Sequence, residues 1–253
     1  MKIGFIITMY DEIDVVQKTL EILKDNNCIS IVIQSDPNDS SKCLEDDDVS
    51  FYQKLPDLAA SEEEYLKEMG LKPGVTIGSR AITRNYSVGF TAAQSFEADW
   101  WVAITGDVEI SNLNGVKEII EKMISNKKSL GVFRAVGQTF WNSNKEFTRV
   151  QRDNTTDFFP QLIIVKSSLV KKKLFSEIKI TNSYGSEQCL GDEVKRFCDE
   201  EENEFENIVF IISNYAYPQF ISGLKFNSDR INMPRYVDGF VNMFRRMKTR
   251  HMK

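Results

Sequence analysis

The sequence is short of the residues on which many enzyme mechanisms depend. Its single histidine is His251, in the last few positions. That leaves almost no room for a Ser-His-Asp or Cys-His mechanism, or for a multi-histidine metal centre. The four cysteines, Cys28, Cys43, Cys189 and Cys198, form no CxxC pair and show no zinc-type spacing. They read as reduced, partly buried thiols of a cytosolic protein. No apolar run approaches the roughly 20 residues that cross a bilayer. The opening "MKIGFIITMYDE" has acids directly after its apolar run and no small-residue cleavage site, so it reads as a first strand and not as a signal peptide. A net charge of -5 and a pI near 5.2 argue against a nucleic-acid-binding surface. Neither GxGxxG nor GxxxxGK[ST] occurs, so any bound phosphate must be met by metal or by arginine.

What is present is an ordinary globular composition, 42% hydrophobic and 27% charged over 253 residues, enough for one large domain. "KIGFIITMY" and "CISIVIQSD" are apolar runs of the kind buried on both faces of a parallel sheet. Between them Ile13, Val16, Leu20 and Leu23 recur at helical spacing, making a βαβ unit. "SEEEYLKEMGL" predicts a short helix with a capping box, and "RAITRNYSVGFTAAQSF" a longer one with Arg80 and Arg84 near its start. "DWWVAITGD" is a third clear strand, with Trp100 and Trp101 assigned to packing. "LNGVKEIIEKMISNK" is an amphipathic helix, "SLGVFRAVG" a strand, "FFPQLIIVKSSLV" a strand leading into a helix, and "NIVFIISNYAY" a closing strand. The alternation predicts an α/β fold, a mostly parallel central sheet flanked by helices.

In such sheets ligands gather beyond the carboxyl ends of the strands. Those ends hold Thr8, Tyr10, Asp11 and Glu12, then Asp36, then Asp107 and Glu109. Acids converging on one crevice repel one another unless a cation or a hydroxyl-rich ligand sits among them. Asp11 and Glu12 fit a helix-start role better than catalysis. Asp107 and Glu109, alternate residues of extended chain, point to the same side and are placed to share one metal ion. Arg84 is a candidate for phosphate, whereas Arg80 reads as solvated or ion-paired.

The ordered set of motifs resembles the GT-A-type glycosyltransferases, most of all the inverting family 2. "ITMYDE" matches the turn after the first strand, Asp36 in "IQSDPNDSS" the acid that meets the nucleotide base, and "TRNYSVGFTAA" the arginine-bearing helix through Arg84, Asn85 and Gly89. "WVAITGDVEI" stands where the family has its metal-binding DxD, here written DxE, and "GDEVKRF" where it has the acid pair containing the catalytic base. The resemblance implies a GT-A-like domain over residues 1–230 followed by a basic amphipathic segment, 231–253. It implies transfer of a sugar from a nucleotide-diphosphate donor to an acceptor hydroxyl with inversion. Mn²⁺ or Mg²⁺ would be held by Asp107 and Glu109. The donor would be bound by Thr8, Tyr10, Glu12, Asp36, Arg84 and Asp107, and the acceptor wall would contain Trp141 and Phe159. The base would be Asp192 or Glu193, for which a helix start is an equal reading.

The acceptor would be a glycan, a lipid-linked sugar or a protein, with no nucleic-acid partner. The stretch "PRYVDGFVNMFRRMKTRHMK" carries six Lys or Arg against one Asp, which suits peripheral contact with the inner face of a membrane, although a helix docked on the domain with a frayed tail fits it as well. A sugar-phosphate nucleotidyltransferase and a non-catalytic sugar-nucleotide or protein-binding module are the competing readings. The first lacks its glycine-rich loop, and the second is kept alive by DxE and by the reversed acid pair.

Overall fold

The computed structural model describes residues 1–10, 12–36, 49–56, 75–134, 139–141, 147–149, 158–179, 186–213 and 221–226. The chain runs β1 (Ile3–Met9), α1 (Ile13–Asp25), β2 (Ile29–Asp36), β3 (Phe51–Pro56), α2 (Val75–Ala93), β4 (Trp100–Thr105) and β5 (Val108–Ile110). It continues through α3 (Asn114–Ser125), β6 (Leu130–Arg134), β7 (Thr139–Trp141), β8 (Phe147–Arg149) and β9 (Phe158–Lys166). It closes with α4 (Ser167–Lys171), α5 (Ser186–Glu200), α6 (Phe205–Ile208), β10 (Val209–Ser213) and β11 (Leu224–Phe226).

Seven strands form one sheet in the order β10-β6-β9-β4-β1-β2-β3. Every pairing is parallel except those of β9, which runs antiparallel to both β4 and β6. The expected mostly parallel α/β sheet is therefore present. The central strands are apolar on both faces because helices cover both. Phe5, Ile7 and Met9 of β1 pack with Val16, Leu20 and Leu23 of α1 and with Val116 and Ile120 of α3. Ile6 joins Ile31 and Ile33 of β2, Tyr86 and Phe90 of α2, and Leu190 and Val194 of α5 on the other face. Trp100 and Trp101 are buried, as their assignment to packing requires. No described helix is long and apolar enough to cross a membrane.

Three sequence readings change. Residues 51–56, to which the sequence pattern assigns no element, form β3, hydrogen-bonded in parallel to β2. They escaped detection because "FYQKLP" is too short and polar for periodicity to register, and its strand character comes from the neighbouring edge. The helix α2 begins at Val75, so Arg80 and Arg84 lie well inside it; Arg80 is buried at 8% exposure, which removes the solvated half of its reading and leaves the ion-paired half. Asp192 and Glu193 sit in the middle of α5, which removes the helix-start reading for both, since a dipole acts only on the terminal turn. The helix expected from "SEEEYLKEMGL", together with Asp11, Cys43, His251 and the segment 231–253, lies outside the described residues.

Candidate active site

The crevice is set by strand register. Thr8 of β1 pairs with Thr105 of β4, so adjacent strands end side by side. Side chains alternate along a strand. Thr8, Thr105 and Ser35 therefore share the face of Ile6, Ala103 and Ile33, the face covered by α2. Polar residues at the ends of apolar strands meet polar residues on that helix. The Ser35 hydroxyl donates to Asn85 Oδ1 at 2.8 Å and accepts from Arg84 Nη2 at 3.0 Å. The "RN" of the sequence motif is thus pinned to the end of β2, one residue before Asp36. Tyr86 is fully buried, and its hydroxyl donates to the carbonyl of Pro160 in β9.

After β4 the chain turns through Gly106 and Asp107. Gly106 N–H donates to the Thr8 carbonyl at 2.6 Å, which ties the turn to the end of β1. A Cβ on Gly106 would lie 2.9 Å from Glu12 Oε2 and 3.0 Å from Met9 Cβ, so the close approach of these groups needs glycine. Asp107 is only 6% exposed. Burial pushes its carboxyl up to about 6; the Thr105 hydroxyl opposes the shift, and the negative Glu12 adds to it. Asp107 Oδ2, Thr8 Oγ1 and Thr105 Oγ1 are buried and make no hydrogen bond among the described residues. Thr105 still eases the charge on Asp107 through proximity. Burial also drives the Tyr86 phenol far above its ordinary range, with Thr8 opposing and the nearby Asp107 adding to the shift.

Glu12 heads α1, its carbonyl accepting from Val15 and Val16, as the helix-start reading requires. Its carboxylate makes no capping bond. Instead Oε2 accepts from the Tyr10 N–H at 2.8 Å. The Tyr10 carbonyl accepts from Gln34 Nε2 at 3.3 Å, and Gln34 Oε1 accepts from Tyr52 of β3 at 2.5 Å. Tyr10 is thereby gripped at both backbone groups while its side chain is 42% exposed. Strand pairing puts Glu109 opposite Lys225 in the ribbon of β5 and β11. The ribbon is anchored by Thr19 of α1, whose buried hydroxyl accepts from the Ile110 N–H at 3.1 Å.

The remaining candidates stand elsewhere. Asp192 is exposed on α5. Glu193 is 3% exposed, and both its oxygens accept from Arg196, at 2.6 and 3.0 Å. Neither is among the groups that shift Asp107. Trp141 belongs to β7, paired with β8, and Phe159 to β9, in register with Phe133. Sequence reasoning missed Ser35, Thr105, Tyr86, Thr19 and Gln34. The usable signal was a polar residue interrupting an otherwise apolar strand or helix face close to a strand end.

Among the described residues no group of three acids, histidines or cysteines gathers into a metal cluster. The oxygen set of Asp107, with Glu12 and two threonine hydroxyls nearby, is nevertheless of the hard type that suits Mg²⁺ or Mn²⁺, ions that keep several waters and need few carboxylates. The orphaned Oδ2 of a buried acid fits a cation in the same way.

No family model matches the chain, and no curated protein does. Among solved structures, residues 1–349 of TarS from S. aureus align over 86% of this chain and 59% of that one, at 15% identity and a TM-score of 0.46. The chain therefore spans under two thirds of that fragment. Mouse xyloside xylosyltransferase 1, apo form, aligns over 84% and 86%, at 8% identity and 0.38. The mannosyltransferase PcManGT from Pyrobaculum calidifontis, in complex with GDP-Man and Mn²⁺, aligns over 85% and 58%, at 10% identity and 0.40.

Proposed function

We propose that this chain is a GT-A-like glycosyltransferase that moves a sugar from a nucleotide-diphosphate donor to an acceptor hydroxyl, with a divalent cation and with inversion. The observation that carries the reading is Asp107. It is a carboxylate kept under cover at a sheet edge, with an unpartnered oxygen, and the end of the next strand but one holds an arginine. A buried acid held away from its ordinary titration range at a strand end is a functional-site candidate.

The chain's own groups divide the work. Tyr10, held by Gln34 and Glu12, presents an exposed ring at the crevice, and with Asp36 it takes the nucleoside. Arg84 adds positive charge toward the diphosphate. Asp107 holds Mn²⁺ or Mg²⁺, whose contribution when bound is to stabilise the charge of the leaving diphosphate. Trp141 and Phe159 contribute to the acceptor side, where the acceptor is a glycan, a lipid-linked sugar or a protein. The basic segment 231–253 brings the enzyme to an anionic membrane surface.

Asp192 is the better base of the two acids on α5. A base must come within hydrogen-bond reach of the acceptor hydroxyl; Asp192 is exposed, whereas Glu193 is buried and held by Arg196 through both oxygens. Turnover of a panel of UDP- and GDP-sugars, read as nucleotide release with and without acceptor, tests the reading. Asp192→Asn should lower the rate by roughly a hundredfold or more, the usual size of general-base catalysis, while the fold survives because the side chain is exposed. Glu193→Gln should mainly destabilise, since it removes one member of a charge-assisted pair. Equal rates in wild type and Asp192→Asn would remove Asp192 from the mechanism. No turnover of any nucleotide sugar by the wild type would remove the proposal.

A further inference from the structure

We infer that Glu12, and not Glu109, is the second carboxylate of the cation site built on Asp107. This rests on the reading above, in which the crevice takes a divalent cation with a nucleotide diphosphate.

Glu12 and Asp107 leave neighbouring strands at the same edge. Thr8 and Thr105 are register partners, and the turn carrying Asp107 is hydrogen-bonded to the Thr8 carbonyl. The Glu12 carboxylate lies over Gly106, the residue before Asp107, so closely that a Cβ there would come within 2.9 Å of Oε2. Glu12 is the charged group whose field reaches Asp107. Asp107 Oδ2, on a side chain 6% exposed, has no protein partner. Two facing carboxylates with an orphaned oxygen between strand ends need positive charge, and hydroxyls, water and phosphate oxygens complete the shell such a cation prefers.

Glu109 lacks this relation. The same-side argument from alternation assumes extended chain from Asp107 to Glu109, but Gly106 and Asp107 form a turn. Within β5, Val108 and Ile110 are each 1% exposed in the core. Glu109 therefore projects from the opposite side of the strand, in register with Lys225.

The test is Mn²⁺ binding, followed by the electron paramagnetic resonance of free Mn²⁺ and by calorimetry, for Mn²⁺ alone and with UDP or GDP. Glu12→Gln keeps an oxygen for the Tyr10 N–H and removes only charge, so a purely structural role would leave Mn²⁺ affinity unchanged. Expected is a loss of at least about tenfold for Glu12→Gln and for Asp107→Asn, because even outer partners of metal ligands cost that much. Glu109→Gln, which removes the same charge close to Asp107 in sequence, should stay within about twofold, the spread of context effects on surface charge. Wild-type affinity in Glu12→Gln overturns the inference, as does a loss in Glu109→Gln equal to that in Asp107→Asn. Nucleotide binding that no Mn²⁺ influences overturns it too, and leaves glycosyl transfer standing without metal. Mn²⁺ bound through Glu12 and Asp107, with no nucleotide or nucleotide sugar bound, upholds it and removes the glycosyltransferase reading.

Discussion

Asp107→Asn is expected to slow sugar transfer severely and, at neutral and alkaline pH, to make the protein more stable. The two effects have one cause. The Asp107 carboxyl is moved from 3.8 to about 6 chiefly by burial, and such a displacement corresponds to roughly 3 kcal/mol between its neutral and charged forms. The folded chain therefore keeps a proton in a window where the unfolded chain has released it. The stabilisation is fully present below about 4 and is lost as pH rises through about 6; above that, the ionised carboxylate weighs against the fold. Asparagine has the same shape and no charge. Its melting temperature should exceed that of the wild type at pH 8 by roughly 6–12 °C, taking about 2–4 °C per kcal/mol for a chain of this size. The gain should disappear at pH 4. The catalytic loss should reach roughly a hundredfold to a thousandfold, the scale seen when one electrostatic group acting on the transition state is removed. A melting temperature unchanged at pH 8, or higher only at pH 4, would mean that Asp107 does not carry the burial penalty described here. A protein that tolerates a residue working against its own stability reflects the usual compromise at active sites.

Gly89→Val is expected to be strongly destabilising although it lies away from the crevice. Gly89 lies on α2 against β1, and a Cβ there would fall 2.4 Å from Ile6 Cγ2 and 3.5 Å from Ile33 Cγ1. Ile6 is fully buried and β-branched, so it has little rotamer freedom with which to withdraw. Overpacking of this kind costs about 3 kcal/mol or more, a fall of roughly 6–12 °C in melting temperature. The same helix carries Arg84, Asn85 and Tyr86 to the strand ends. Lifting it should therefore weaken nucleotide binding together with stability. Ile6→Ala removes the clashing methyl, so the double variant should be less unstable than the sum of the two single changes. Strict additivity, or a melting temperature within about 2 °C of wild type for Gly89→Val, would contradict the close packing of α2 on β1.

The sequence made the central strands legible because β1, β2 and β4 are apolar throughout, a pattern that arises where helices cover both faces. It also located Asp107 and Arg84 at the correct sheet edge, since a strand end is where apolar character stops. It failed where geometry depends on partners distant in sequence. β3 and β11 are strands only because β2 and β5 offer them edges, and no local pattern in "FYQKLP" or "LKF" announces this. The pairing of Asp107 with Glu109 looked natural on extended chain. The turn at Gly106, hydrogen-bonded to Thr8, interrupts that periodicity and lies against Glu12, the contact on which the proposed role of Glu12 rests. Ser35 went unnoticed for the converse reason: a single serine at the end of an apolar strand carries no signal until register and helix packing place Asn85 and Arg84 against it.

The central claim is that a cation at Asp107 joins a nucleotide diphosphate to this crevice, and thermal melting tests it directly. A ligand that binds the folded chain raises the midpoint by mass action, by about 2.7 kcal/mol at a hundredfold excess over its dissociation constant. Wild-type protein should melt several degrees higher with UDP or GDP plus Mn²⁺ than with either alone, and Asp107→Asn should show no such synergy. No midpoint shift with any nucleoside diphosphate and any divalent cation, or an equal shift in Asp107→Asn, would contradict the account.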